Sequence, residues 1–168
     1  KEIERLTDLY PIDGVTTNPT IVSKGGLKLK ELIRKIRSVI GEEKMLHAQT
    51  ISDKAEDMIK EALRLRDLAG GNFYVKIPAT PQGIKAIRHL KELGFHVTAT
   101  AIFTQQQGLI AARAGADFIA PYVNRLDNIS SHGIDVVADL VHLIRYYDLK
   151  TQVLAASFKN VDQVYRVS

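Results

Sequence analysis

The chain alternates between short apolar runs and longer stretches whose apolar residues recur at helical spacing. The apolar runs predict strands over residues 12–17, 44–51, 73–80, 95–102, 117–123 and 151–157. The amphipathic stretches predict helices over 27–40, 80–93, 104–114 and 134–147, a helix capped by Ser52 or Asp53 that runs to Leu68, and a last helix capped by Asn160. Strands that alternate with helices indicate the α/β class with a parallel sheet.

Polar side chains lie at or near the ends of the predicted strands, where packing gives them no obvious role. They are Asn18, Gln49, Lys76, Thr100, Tyr122, Arg125 and Ser157. An open doubly wound sheet gathers its ligand groups at one switch point, whereas a barrel builds its site from the ends of many strands. The pattern therefore predicts a (β/α)8 TIM barrel as a single domain over residues 1–168. Closure needs eight strands, so we expect the first and last strands to be missing and the domain to be truncated at both ends.

Lys76 interrupts the apolar run Phe73–Thr80. A buried parallel strand is nearly continuous in apolar residues, and burial disfavours the charged form of a lysine. A lowered pKa would leave a neutral amine near pH 7, and such an amine can form a Schiff base with a carbonyl substrate. The alternative is that Lys76 lies on an edge strand, or extends its head to water.

Composition and charge narrow the possible classes of protein. Apolar residues make up 45 % of the chain, charged residues 25 %, and there is no cysteine to form a disulfide or act as a thiol nucleophile. The net charge is +4, and basic residues concentrate between Lys24 and Arg37. That stretch indicates a solvated helix face, with a nucleic-acid patch as the alternative, and it also suits an anionic substrate such as a sugar phosphate. We find no long apolar stretch and no signal peptide, and we predict a cytoplasmic protein without membrane partners.

Four motifs together resemble the transaldolase family, and more closely its fructose-6-phosphate aldolase branch. They are DGVTTNPT (13–20), VKIP (75–78), APYVNRLD (120–127) and LAASF (154–158). The resemblance implies an eight-stranded barrel in which Lys76 forms a Schiff base with a ketose phosphate. No residue here matches the aspartate that the family carries on its first barrel strand.

The resemblance also assigns roles to three polar residues near the lysine. Transaldolases proper have glutamate and phenylalanine where this chain has Gln49 and Tyr122, and the aldolase branch has glutamine and tyrosine. The resemblance implies that Tyr122 acts as acid and base through a water held by Gln49 and Thr100. From the residues alone, Tyr122 could instead be an ordinary rim aromatic, and Gln49 a surface amide.

The substrate phosphate needs a cation and hydrogen-bond donors. Arg125 and Ser157 can supply them, and both lie at late strands, where barrels commonly bind phosphate. The alternative for Arg125 is an ion pair with Asp127. Asn18 would orient a substrate hydroxyl or Lys76 itself, although Asn-Pro is also a simple turn signal.

The sequence therefore predicts cleavage of fructose 6-phosphate to dihydroxyacetone and glyceraldehyde 3-phosphate. The runner-up is a transaldolase of the pentose phosphate pathway, and the alternative of another class is an inactive sugar-phosphate-binding barrel. A Schiff-base aldolase needs no cofactor and no metal, and the five histidines show no metal-ligand spacing. The aldolase branch forms ring-like homo-oligomers, so the resemblance also implies a homo-oligomer.

Overall fold

A computed structural model describes residues 2–24, 26, 28–127 and 133–168. The strands are β1 (Gly14–Thr16), β2 (Met45–Gln49), β3 (Phe73–Pro78), β4 (His96–Ile102), β5 (Phe118–Pro121) and β6 (Gln152–Val153). The helices are α1 (Glu2–Leu9), α2 (Pro19–Lys24), α3 (Leu29–Ile40), α4 (Ala55–Ala69), α5 (Pro81–Glu92), α6 (Gln105–Arg113), α7 (Val123–Asp127), α8 (Gly133–Tyr146) and α9 (Val161–Val167).

The strands pair in parallel and in the order of the chain. The chain divides into two compact units, residues 1–76 and 77–168. In the first unit β1 pairs with β2 and β2 with β3; in the second β4 pairs with β5 and β5 with β6. Within each unit, strands that are neighbours in the sheet are also neighbours along the chain, as in a (β/α)8 barrel, whereas the order of a doubly wound sheet reverses at a switch point. The predicted α/β barrel class is therefore confirmed, with six strands found in the described residues. The single domain over 1–168 stays a prediction.

Each unit buries the apolar faces that the helical spacing predicts. In the first, α3 buries Ile33, Ile36 and Ile40, and α4 buries Ala55, Met58, Ala62, Leu65 and Ala69. In the second, α5 buries Gly83, Ala86, Ile87 and Leu90, and α8 buries Gly133, Val136, Val137, Leu140 and Ile144. A repeat of three or four residues places these side chains on one face of each helix. None of the helices described is long and apolar enough to cross a membrane.

Of the two helix caps predicted from the sequence, Asn160 is confirmed, and the cap by Ser52 or Asp53 is wrong. The side chains of Thr80, Thr104 and Asn160 each accept a hydrogen bond from a backbone N–H in the first turn. In contrast, α4 has Lys54 at its N-cap position, and no side chain caps it. Ser52 instead donates its hydroxyl and its backbone N–H to Glu61 Oε2, at 3.0 and 3.2 Å. A carboxylate on the helix thus engages the serine that the local pattern assigned to the cap.

Two short helices lie where the sequence predicted no helix. The first, α2, begins at Pro19, directly after Asn18, and proline suits a first helical turn. The second, α7, starts at Val123, so β5 ends at Pro121 rather than continuing through the predicted strand. Tyr122 forms only an isolated parallel bridge, to Ala156.

Candidate active site

Lys76 lies in β3 with only 6 % of its surface exposed. Its Nζ donates a hydrogen bond to the carbonyl of Thr17 at 3.1 Å. Burial lowers the pKa of Lys76 to about 8, which leaves roughly 10 % of the amine neutral at pH 7, against about 0.03 % for an ordinary lysine. The alternative of an edge lysine with its head in water is therefore wrong. A buried amine with this pKa suits nucleophilic attack on a carbonyl.

Gln49 is the direct neighbour of Lys76 across the β2–β3 ladder. Residues paired in a parallel ladder point to the same face of the sheet, so the amide and the amine share one face. The buried Oε1 of Gln49 accepts no hydrogen bond from the described residues. A buried acceptor of this kind needs a donor, and a water or a substrate hydroxyl can supply one.

A stacked aromatic pair lies on the same face, two residues before Gln49 and Lys76. The rings of His47 and Tyr74 have centroids 4.7 Å apart and planes 12° from parallel. His47 is 2 % exposed, and burial, followed by the charge of Lys76, lowers its pKa to about 4. His47 lies in the middle of β2. The imidazole is neutral near pH 7.

Asn18 directs its side chain to the backbone of α2. Its Oδ1 accepts a hydrogen bond from the N–H of Ile21 at 2.9 Å. The turn that Asn-Pro indicated is therefore present, and the amide nitrogen carries the two N–H donors that a substrate oxygen could accept. The preceding residue, Thr17, was not assigned a role from the sequence, although it lies inside the motif that carries the resemblance.

Thr100 and Tyr122 come together in the second unit. Their hydroxyl oxygens are 3.3 Å apart and hydrogen-bonded. The register of β4 against β5 shifts between Ala99 and Ile102, and Ala101 between them has a left-handed φ of 56°. Such bulges re-aim the neighbouring side chains, and they cannot be read from a pattern of apolar residues.

The ring of Tyr122 is held on two sides. Phe103 packs against it edge to face, with ring centroids 5.6 Å apart and planes at 82°. The guanidinium carbon of Arg125 lies 4.8 Å from the ring centroid, a cation–π contact. Arg125 itself is exposed, so its N–H groups can meet an anion. The side chain of Asp127, its alternative partner, lies outside the described part of the chain.

Ser157 lies half-buried beyond β6 with a left-handed φ of 66°. Its carbonyl accepts a hydrogen bond from the N–H of Asn124 at 3.1 Å, which ties the start of α7 to this turn. Ser157 is therefore hydrogen-bonded to the residue that precedes Arg125 in the chain. Among the described residues, no three His, Asp or Glu side chains are grouped so that they could hold a metal ion. His132 lies outside those residues.

Comparisons with known proteins agree with this geometry. Residues 1–167 match the family model described as transaldolase/fructose-6-phosphate aldolase. A protein of Streptococcus pneumoniae named probable fructose-6-phosphate aldolase is 43 % identical over 164 residues, which cover 97 % of this chain and 74 % of that protein. The chain therefore belongs to the transaldolase/fructose-6-phosphate aldolase family.

Proposed function

We propose that this chain is a class I aldolase that forms a Schiff base at Lys76 and cleaves fructose 6-phosphate to dihydroxyacetone and glyceraldehyde 3-phosphate. The observation that carries the proposal is the buried amine of Lys76, whose pKa burial lowers to about 8. Family membership and the name of the Streptococcus pneumoniae relative support the same reaction.

The chemistry begins with attack of the lone pair of Lys76 Nζ on the C2 carbonyl of the ketose. One proton is taken up and water leaves, which gives an iminium. The iminium withdraws electrons, so the pair of the C3–C4 bond moves into a C2–C3 double bond and neutralises the nitrogen. The C4 hydroxyl loses its proton, and glyceraldehyde 3-phosphate departs. Protonation and hydrolysis of the remaining enamine release dihydroxyacetone and the free lysine.

Proton transfer in this scheme falls to Tyr122, acting through a water. The hydrogen bond between the hydroxyls of Thr100 and Tyr122 supports a shared role for the two residues. The buried Gln49 Oε1, which no described residue satisfies, supports a role in holding water beside Lys76. General acid–base groups must be within one water of the proton that they move.

Substrate binding in this scheme uses residues of the late strands. Arg125 offers its guanidinium to the phosphate, and Ser157 adds its hydroxyl. The exposure of Arg125 and the short connection from Asn124 to Ser157 support this assignment. Asn18 binds a substrate hydroxyl through its amide N–H groups, because its Oδ1 already accepts from Ile21.

The second candidate is transaldolase, which forms the same Schiff base and passes the three-carbon unit to another sugar phosphate in the pentose phosphate pathway. Gln49 and Tyr122 favour cleavage over transfer, since both are typical of the aldolase branch. An inactive sugar-phosphate-binding barrel is the alternative outside catalysis, and it gives no reason for a buried amine of lowered pKa.

Borohydride trapping tests the proposal. The protein is incubated with fructose 6-phosphate, reduced, and mapped by peptide mass spectrometry, while free dihydroxyacetone is assayed separately. We expect an adduct on Lys76 and release of dihydroxyacetone without an added acceptor aldose. Lys76→Met should abolish both. Lys85→Met removes an exposed lysine on α5 and is the matched control, with both expected to be retained.

The outcomes separate the candidates. An adduct that releases its three-carbon unit only when an acceptor aldose phosphate is present would favour transaldolase. Binding of fructose 6-phosphate without any adduct would favour the inactive binding protein. Near-normal turnover by Lys76→Met would end the Schiff-base mechanism.

Four wider assignments belong to the same proposal. They are a cytoplasmic location, a homo-oligomer, a single barrel domain that includes residues 1–168, and a reaction without cofactor, nucleic acid or membrane partners. The first two rest on family resemblance, and fractionation and light scattering test them.

A further inference from the structure

The residue that holds the amine of Lys76 is Thr17, directly after β1. Its carbonyl accepts the hydrogen bond from Lys76 Nζ at 3.1 Å. Two donors of the same residue, its backbone N–H and its hydroxyl, both bind the carbonyl of His47, at 2.8 and 3.1 Å. All three residues are buried, with Thr17 3 % exposed. The residue whose carbonyl holds the lysine is therefore itself attached to β2 by two hydrogen bonds.

We propose that Thr17 is a positioning residue for the Schiff base: its hydroxyl and N–H fix the end of β1 on β2, and its carbonyl orients the nitrogen of Lys76. This inference rests on the proposed function, because it assigns a role in the same lysine chemistry. Thr17 does not touch the carbons that react, so it acts through Lys76.

The role follows from the hydrogens that the nitrogen carries at each stage. A neutral amine has two N–H groups and one lone pair. When one N–H points to the Thr17 carbonyl, rotation about the Cε–Nζ bond of Lys76 is restricted, and the lone pair has a defined direction. The reaction takes up the carbonyl carbon and one proton and releases one water, which leaves an iminium with a single N–H.

That single N–H can keep the Thr17 carbonyl as its acceptor, and the plane of the C=N bond is then fixed. Cleavage requires the C3–C4 bond to stand roughly perpendicular to this plane, since only then can its electron pair enter the π system. A carbonyl of fixed position therefore favours the reactive orientation of the iminium. Orientation of this kind changes rates steeply, and misplacement by about 1 Å can cost about a hundredfold.

The competing explanation is that the hydrogen bond from the Thr17 hydroxyl to the His47 carbonyl only satisfies two buried polar groups and has no effect on Lys76. The chain offers a matched control for this, because Thr151 is also a buried threonine, 6 % exposed, whose hydroxyl donates to a backbone carbonyl, that of Ala116, at 2.7 Å. Thr17→Val and Thr151→Val remove the same group from the same kind of bond. The two threonines differ in one respect: among their described contacts, Thr17 accepts a hydrogen bond from Lys76, and Thr151 makes no contact with that lysine.

The experiment compares the wild type with Thr17→Val, Thr17→Ser and Thr151→Val. The first readout is the kcat and KM of fructose 6-phosphate cleavage. The second is the rate at which dihydroxyacetone and cyanoborohydride label Lys76, followed by peptide mapping. We expect Thr17→Val to lower kcat and the labelling rate about tenfold with KM within about twofold. Thr17→Ser keeps the hydroxyl and Thr151→Val keeps Thr17, so both should stay within about twofold of the wild type.

Several results would overturn the inference. They are labelling of Lys76 in Thr17→Val at the wild-type rate, an equal loss in Thr151→Val, or a Thr17→Ser variant as slow as Thr17→Val. If Thr17→Val does not fold, Thr17→Ala takes its place with the same expectations. The labelling readout does not need fructose 6-phosphate. A wild type that fails to cleave that sugar while its Lys76 is labelled would therefore count against the proposed substrate, and the labelling rates would still decide the role of Thr17.

Discussion

At the scale of single residues, burial lowers the proton affinity of two neighbouring bases. The pKa of Lys76 falls to about 8 and that of His47 to about 4, and the charge of Lys76 adds to the effect of burial on His47. Because the imidazole stays neutral over the pH range in which Lys76 titrates, it adds no second positive charge beside the amine of Lys76. The stacked rings of His47 and Tyr74 lie on the same face of the β2–β3 pair as Gln49 and Lys76, two residues earlier along each strand.

His47 should make the protein sensitive to mild acid. Its pKa is about 4 in the folded chain and about 6.5 when unfolded, so the unfolded state binds the proton first as the pH falls. Its contribution to the free energy of unfolding is therefore full above about pH 6.5. It is lost progressively towards pH 4, and the loss is about 3 kcal/mol at most. Urea unfolding at pH 7.5, 6.0, 5.0 and 4.5 measures it.

The matched variants are His47→Phe, which keeps a ring to stack on Tyr74, and His47→Gln, which keeps a polar side chain of similar volume. Neither can take up a proton, so both should lose less stability between pH 7.5 and pH 4.5 than the wild type loses. If both variants lose as much as the wild type over that interval, titration of His47 does not contribute to the acid sensitivity.

Lys76 could be identified as a candidate from the sequence, because a lysine inside an apolar strand is chemically conspicuous. The hydrogen bond to the carbonyl of Thr17 and the stacking of His47 could not be predicted. The contact of Thr17 depends on a backbone carbonyl, and the stacking of His47 depends on the register of β2 against β3. Neither is encoded in a spacing along one strand.

At the scale of elements, one arginine fastens the turns that lead into β2 and β3. The guanidinium of Arg37, on α3, donates five hydrogen bonds to backbone carbonyls. The acceptors are the carbonyls of Gly41, Lys44, Ala69, Gly70 and Asn72, at 2.8 to 3.2 Å. Burial lowers the pKa of Arg37, and Glu42 acts in the opposite direction. This side chain therefore belongs to the fold rather than to the basic patch that its place in the sequence suggested.

Arg37→Lys should destabilise the protein by about 2 kcal/mol or more, because an ammonium has three donors and lacks the planar fork that reaches both turns. The measurement is the midpoint and slope of urea unfolding at pH 7.5. Arg34→Lys, an exposed arginine on the same helix, is the control and should change stability by less than about 0.5 kcal/mol. Equal effects of the two substitutions would show that the five hydrogen bonds contribute little.

The elements themselves were predictable where periodicity and caps agree. Thr80 followed by Pro81 predicted the start of α5, and Thr104 marked the predicted start of α6. The failures have local physical causes: Glu61 engages the serine expected to cap α4, and α7 follows directly after β5. A five-residue helix is too short to show the periodicity on which such predictions depend.

At the scale of the whole molecule, the family and the strand order agree with the expected class of reaction. The family model matches residues 1–167, so a small number of motifs was enough to predict both the family and the fold class. The predicted site residues divide by unit. Lys76, Gln49 and Asn18 belong to the first unit, and Thr100, Tyr122, Arg125 and Ser157 to the second. Local details such as the bulge at Ala101 depend on how β4 pairs with β5, and they cannot be predicted from a sequence motif.

Activity should not depend on a metal ion. In the proposed mechanism the iminium on Lys76 withdraws the electrons of the cleaved bond, which is the task that a divalent cation performs in a metal-dependent aldolase. Protein dialysed against EDTA should therefore cleave fructose 6-phosphate at a rate within about 20 % of the untreated enzyme. Borohydride added together with fructose 6-phosphate should inactivate both samples alike, because it reduces the Schiff base. Lys76→Met, inactive with or without added Zn²⁺ or Mg²⁺, is the control. Loss of cleavage in EDTA that a divalent cation restores, with borohydride without effect, would instead assign the polarisation of the carbonyl to a metal.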